Sequence, residues 1–312
     1  MSVLRSEYKI PSTSGVADVF ARCWAPSDEN PKAIFQIAHG MAEHGERYED
    51  FAKYLVSKGF AVLVDDHVGH GKSVRSKSDL GYFGEEGGWN AFVEDEKALT
   101  DLITEVYPDT PVVFFGHSMG SFIAREYLRR YGDDERIACG IICGTSGKNP
   151  ASAIAIKLAD GIAKAKGSRH KSEFINKMAF GAYNKKFEGA TDFDWLSSDK
   201  EQVRKYINDE YCGYLFTAAG YRDLFTVLTA VSGKDWFERM PKALPLLIVS
   251  GEDDPVGNYG KGIKQVYNDL KLAGSKDVTL KLYAGMRHEI LNEKNNKKVY
   301  EDIAAWALNK IR

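Results

Sequence analysis

Gly116-His117-Ser118-Met119-Gly120 sets a serine between two glycines, directly after the apolar run 112–115 and directly before a stretch of helical spacing, 121–131. At such a strand-to-helix turn the serine hydroxyl is exposed on a strained backbone, and the flanking glycines leave room for neighbouring chain to approach. A serine hydroxyl is a poor nucleophile at neutral pH and needs a base that is itself oriented by an acid. Two histidines follow Ser118 in the chain, His170 and His288. His170 lies among Lys164, Lys166, Arg169 and Lys171 and reads as solvated. His288, in Gly285-Met286-Arg287-His288-Glu289, comes just after the last strand-like run and is the candidate base. Three acids compete in Ser250-Gly251-Glu252-Asp253-Asp254-Pro255-Val256. Asp254 is preferred over Asp253, because the following proline biases it toward extended backbone and fixes its direction; Glu252 and Asp253 suit solvated turn or capping roles.

Acyl transfer through a serine also needs two backbone N–H donors for the oxyanion. Met119, the residue after the serine, is the first candidate. The second is Met41 in His39-Gly40-Met41, directly after the run 33–38, where Gly40 permits the sharp turn that would aim the N–H inward.

Positioning these groups requires several elements. Residues 19–24, 33–38, 61–64, 112–115 and 140–143 read as strands, with helical spacing over 48–58 and 89–107 between them. In the second of these helices Phe92, Leu99, Leu102, Ile103 and Val106 share one face. This alternation predicts an α/β fold, a mostly parallel sheet covered on both sides by helices. The next strand, 244–250, comes roughly 100 residues after Cys143, far more than a crossover needs. The interval is helical in pattern (151–166, 171–187, 200–207, 212–220 and 222–231), which predicts a helical cap of residues 146–236 inserted between two late strands of a core made from 1–145 and 237–312. The alternation returns with helix 260–272, strand 278–283 and helix 296–311.

On these motifs the chain resembles the monoacylglycerol lipase and lysophospholipase group of α/β-hydrolases. His39-Gly40-Met41-Ala42-Glu43-His44-Gly45-Glu46-Arg47-Tyr48 is similar to that group's histidine–glycine, glutamate–histidine, arginine–tyrosine loop. Asp66-His67-Val68-Gly69-His70-Gly71-Lys72-Ser73 matches its aspartate–histidine–glycine–histidine–glycine turn, and the serine, acid and histidine segments fall in the expected order. Gly45-Glu46 departs mildly from the small residues usual there. The resemblance implies nucleophile Ser118, acid Asp254, base His288 and oxyanion donors Met41 and Met119, without a cofactor. It implies a lipid monoester substrate, foremost a monoacylglycerol, with lysophospholipase or general carboxylesterase activity as alternatives. An aminopeptidase would need cap carboxylates to grip an α-amine, and Glu173, Glu188, Asp192, Asp194 and Asp199 are the candidates. A non-catalytic ligand-binding relative is opposed by the complete set of site residues.

Composition narrows the rest. With 44% hydrophobic residues the 312-residue chain can bury a substantial core. Its 42 basic and 44 acidic residues give no reason to expect a nucleic-acid partner. His39, His44, His67 and His70 crowd together but match no zinc spacing, so no metal is expected. Cys139 and Cys143 read as core filler among four scattered cysteines. A charged start and the lack of any long apolar run predict a soluble, cytoplasmic protein. In the cap, Phe193, Trp195, Phe216, Phe225 and Trp236 could line an acyl-chain tunnel or pack the helices together. The apolar 151–165 is expected to act as a mobile lid that makes transient contact with lipid aggregates or a membrane surface.

Overall fold

The structure is a computed structural model that describes residues 2–187, 189 and 191–311. Its frame is an eight-stranded sheet in the order β1-β2-β4-β3-β5-β6-β7-β8. The strands are β1 (Val3–Pro11), β2 (Asp18–Pro26), β3 (Ala33–Ala38), β4 (Phe60–Asp66), β5 (Val112–His117), β6 (Ile137–Cys143), β7 (Leu246–Gly251) and β8 (Val278–Tyr283). β1 and β2 run antiparallel to their neighbours; every other pair is parallel.

The central strands read as unbroken apolar runs because both faces of the sheet are covered. In β5, Val112 and Phe114 join one core while Val113 and Phe115 join the other, and in β7 Leu246 and Ile248 oppose Leu247 and Val249 in the same way. The first core is closed by α2 (Gly88–Val106), α3 (Met119–Tyr131) and α9 (Lys261–Leu272), the second by α1 (Glu49–Val56) and α10 (Asn296–Lys310). This is the α/β-hydrolase arrangement. Between β6 and β7 run α4 (Ser152–Lys166), α5 (Glu173–Phe180), α6 (Lys200–Asn208), α7 (Ala218–Ala230) and α8 (Lys234–Arg239). No helix among the described residues is long and apolar enough to cross a membrane.

Several boundaries differ from the sequence reading. The helix expected over 171–187 ends at Phe180, and a short 3-10 turn, Tyr183–Lys186, follows Gly181. The helix expected over 212–220 does not form as one: 212–217 is irregular, with Thr217 bridged to Lys171, and Thr217 then caps α7, which starts at Ala218, by accepting from Gly220 N–H. Helical spacing of apolar residues there reflects burial against neighbours, since Phe216 is fully buried. Strand β7 begins at Leu246 rather than at residue 244. Two elements were not foreseen, β1 and α8.

Candidate active site

The turn from β5 into α3 carries Ser118 at φ 55° and ψ −119°, a conformation that L-residues rarely adopt. The glycines on either side are required by contact. A Cβ on Gly116 would overlap Gly120 O, and one on Gly120 would overlap Ala38 O. Ser118 N–H is fixed to Cys143 O at 3.0 Å, which ties the turn to β6. Asp254, fully buried after β7, accepts from Ser250 Oγ at 3.0 Å and from Val256 N–H at 2.9 Å, and its Oδ1 lies 3.0 Å from His288 Nδ1. That contact leaves Nε2 as the free face of the imidazole. Asp253 is exposed and makes no hydrogen bond to His288. His288 and Ser118 line one cavity, together with Met41 and Met119, and no hydrogen bond joins Ser118 to His288. The five residues singled out in the sequence are therefore gathered at one place, while His170 sits half-buried in the helical insertion, away from the cavity.

The backbone around Met41 is oriented by its neighbours. His39 Nε2 accepts from His67 N–H at 3.0 Å, so its proton resides on Nδ1, which donates to Gly40 O at 2.8 Å. Gly40 N–H donates to Glu43 Oε1 at 2.6 Å. With the Gly40 carbonyl pinned, the N–H of the same trans peptide, that of Met41, points the opposite way. Neither Met41 N–H nor Met119 N–H finds an acceptor among the described residues, and both belong to the cavity wall. Two unpaired N–H groups on residues that line one cavity suit an oxyanion.

Behind them lies a charged network that the sequence reading quoted in its motif but gave no role. Arg47 pairs with Glu43 and, in a fork of 2.8 and 2.7 Å, with Glu289 beside His288. Tyr48 OH donates to Glu43 at 2.9 Å, and His117 Nε2 lies 3.3 Å from His288 O. Burial alone would raise the Glu43 carboxyl, but Arg47 and His117 hold it well below the usual range; Glu289 is lowered by Arg47 against the same burial. The network thus links the Met41 loop, the Ser118 elbow and the His288 loop through buried, ionised groups. Glu43 lies in the loop before α1 and Arg47 in the 3-10 turn Gly45–Tyr48, so the only local signal was two opposite charges four residues apart in the quoted motif.

Among the crowded histidines, His39 and His67 have both ring nitrogens in hydrogen bonds, His44 Nε2 lies 2.8 Å from Asp209 in a group with Cys212, and His70 Nε2 has no partner among the described residues. His39, Asp65 and His67 bring donor atoms within 4.8 Å of one another, yet His67 Nδ1 already contacts Asp65 at 2.8 Å, its Nε2 lies 3.2 Å from His39 O, and both nitrogens of His39 are engaged. Asp66 pairs with buried Arg22 and accepts from Gly45 and Lys72 N–H, while Ser73 Oγ donates to Asp66 O. The second motif is thus a scaffold beneath the Met41 loop.

The cavity measures about 610 Å³. Its far wall comes from the helical insertion, with Ile154, Met178, Phe180, Phe225 and Leu228. Of the aromatics considered for a tunnel, Phe193, Trp195 and Phe225 line it, whereas Phe216 and Trp236 are buried in packing. Of the carboxylates considered for gripping an amine, only Asp192 reaches the wall among the described residues. Asp194 is held by Thr191, Asp199 caps α6, and Glu188 lies outside the described residues.

A family model described as "Serine aminopeptidase, S33" matches residues 29–295. The chain belongs to this family. It is a serine hydrolase of α/β-hydrolase fold, as its S33 relatives are. The monoacylglycerol lipase of Mycolicibacterium smegmatis is 29% identical over 319 residues, covering 100% of both chains. Human monoglyceride lipase is 29% identical over 92% of this chain and 86% of its own. Among solved structures, a thermostable carboxyl esterase from Bacillus coagulans, in complex with glycerol, superposes with a TM-score of 0.92 at 31% identity, covering 99% of each chain.

Proposed function

We propose that this chain is a monoacylglycerol lipase, with Ser118 as nucleophile, His288 as base, Asp254 as acid and the N–H groups of Met41 and Met119 as oxyanion donors. The observation that carries the reading is the large, mostly apolar cavity opening directly onto Ser118, beside two unpaired backbone donors. Its far wall suits an acyl chain, and the lipases among the relatives point the same way.

His288 Nε2 takes the Ser118 proton as the hydroxyl oxygen attacks the ester carbonyl, and Asp254 steadies the imidazolium through Nδ1. The carbonyl oxygen, now anionic, receives the Met41 and Met119 N–H groups, each contributing roughly 10²–10³ in rate. Collapse passes the proton from His288 to the departing glycerol oxygen. Water then repeats the sequence on the acyl-serine, with His288 again as base, and releases the fatty acid.

Residues 146–236 act in this reading as a cap over the core formed by 1–145 and 237–312. Exposed Ile154 and Phe174 on α4 and α5 suit transient contact with a lipid surface, and the free, buried thiols of Cys23, Cys139 and Cys143 suit the reducing cytoplasm. An amine-gripping site has less support, because Glu43 and Glu289 are committed to Arg47 and leave Asp192 as the only other carboxylate on the wall among the described residues.

The test is fatty-acid release from a long-chain monoacylglycerol by the wild type and by Ser118→Ala, with a lysophospholipid and an aminoacyl amide in parallel. Release from the monoacylglycerol should dominate and fall about 10⁴-fold or more in the variant. Ser118-dependent cleavage of the amide alone would overturn the substrate, and equal rates in both proteins would overturn the nucleophile.

A further inference from the structure

Arg125 lies on α3, seven residues beyond Ser118, and its side chain is completely enclosed. A buried cation ordinarily has a carboxylate partner, since desolvation is costly. Arg125 has no ion pair among the described residues; both of its Nη groups donate to neutral oxygens. Nη1 donates to Ser146 O at 2.9 Å and to Thr145 Oγ1 at 3.2 Å. Nη2 donates to Val231 O, and Nε has no acceptor. The guanidinium plane lies over Trp236, 4.0 Å from the ring centroid, and Trp236 Nε1 donates back to Arg125 O at 2.9 Å. Removal from water lowers the group to about 9, with Asp269 opposing that shift through space.

The partners are not scattered. Thr145 and Ser146 are where the chain leaves β6 for the helical insertion. Val231 is the C-cap of α7, where the chain returns, and Trp236 in α8 leads it toward β7. One side chain therefore holds both ends of a segment of some 90 residues, and it does so from the helix that begins at the Ser118 turn. A methionine or leucine would fill the same space without burying a charge, so packing alone does not account for an arginine. Only a flat cation with donors on several edges spans carbonyls belonging to two separate strands of chain. The Val231 carbonyl also closes α7, and the negative end of that helix dipole favours a cation there.

Both tethered ends border the cavity. Ser146 is on its wall, and α7 contributes Leu224, Phe225 and Leu228 just before Val231. From this geometry we infer that Arg125 is a positioning residue that clamps both hinges of the helical insertion to the Ser118 helix, keeping the acyl-chain wall in register with the reacting serine. The consequence for substrate rests on the lipase reading above; the clamp itself does not.

The experiment is Arg125→Lys, followed by amide hydrogen exchange and by steady-state kinetics. A lysine keeps the charge but offers one ammonium in place of the fork, so it cannot hold both carbonyls in one geometry. Exchange over 144–152 and 228–236 should quicken about tenfold or more, while β5 and α3 exchange as in the wild type. Long-chain monoacylglycerol should lose about tenfold in kcat/KM, mainly through KM, with a short soluble p-nitrophenyl ester changed less than about threefold. Trp236→Phe, which keeps an aromatic face but loses the indole N–H to Arg125 O, is the second variant should Arg125→Lys fail to fold; it should loosen the same two segments. Unchanged exchange at the hinges, or equal acceleration through the whole sheet, would overturn the clamp. A wild type inactive on monoacylglycerol, with the hinge exchange as expected, would overturn the lipase reading and leave the clamp standing.

Discussion

Asp253 and Asp254 are chemically identical neighbours, and their environments separate them completely. Asp254 is enclosed and accepts from Ser250 and Val256 while facing His288 Nδ1; Asp253 is exposed, with its backbone N–H bound to Met286 O. Asp254→Asn preserves shape but cannot hold the imidazole in the required tautomer. Its kcat on a soluble ester should fall about 10⁴-fold. Asp253→Asn should change the rate less than about twofold. Similar losses in both would show that the acid loop acts as a whole and that Asp254 has no separate part. Much of the site could be read from the sequence at this scale, because Gly116–Gly120, Asp254-Pro255 and His288 each carry a residue type and an order that the chemistry demands. Glu43, Arg47 and Glu289 were less legible, since an ion pair between residues 47 and 289 depends on two loops meeting that no local pattern announces.

At the scale of elements, α4 and α5 present an apolar face to solvent at the cavity's edge. Ile154 is 72% exposed, Phe174 63% and Met178 48%, with Lys157 and Lys177 on the same helices. A face this open gains nothing from packing in the isolated molecule, while burying one such side chain against lipid contributes about 1.5–3 kcal/mol. Phe174 does not line the cavity, so Phe174→Ser isolates the surface effect. Its partition onto phosphatidylcholine vesicles, followed by co-sedimentation, should drop about tenfold, with less than twofold change on a soluble ester. Undiminished partition would remove α5 from any lipid contact. The same scale shows where sequence patterns fail. Strand β1 alternates exposed Arg5, Glu7 and Lys9 with half-buried Ser6, Tyr8 and Ile10, but as a sheet edge it carries only two apolar side chains in that alternation, too weak a pattern to stand out. Within the expected helix 212–220, residues 212–217 stay irregular, with Thr217 bridged to Lys171 and its side chain capping α7, which starts at Ala218. Helix α8 has only six residues, too few for a periodic signal, and is held in place by Trp236 packing on Arg125.

Over the whole molecule, ionisable groups buried between the sheet and its helices couple the fold to pH. His67, enclosed beside Asp65 and Glu96 and stacked on His39, is lowered by burial but raised more by Asp65, and ends up at about 9. Glu96 is pushed up to about 8 by burial and by Asp65, and Gln36 donates to it. Both values lie above those of the unfolded chain, about 6.5 and 4.3, so the folded state binds more protons than the unfolded one between the two limits. Their stabilising contribution is complete below the unfolded values and is lost as pH rises through 8 to 9. His39 and His70, lowered by burial, act in the opposite sense but only below about pH 6.5, where the unfolded histidines begin to protonate. Carboxylates held low, such as Asp66 and Glu43, likewise matter only in acid. From pH 6.5 to 9 the raised pair contributes a downward slope, joined at its lower end by Asp223, raised to about 7 by burial, and by His117, raised by Glu43 against its burial. Toward pH 9 the buried cysteine thiols add to it, and Arg125, lowered to about 9, opposes it only at the upper limit. The melting temperature should fall by several degrees across that window, since 1 kcal/mol corresponds to roughly 2–4 °C in a protein of this class. Glu96→Gln removes one of the two titrations and one of the charges that raise His67, so its melting temperature should vary less over the same range. A wild-type curve flat from pH 6.5 to 9, or a Glu96→Gln curve parallel to it, would mean that the buried pair does not couple folding to protons.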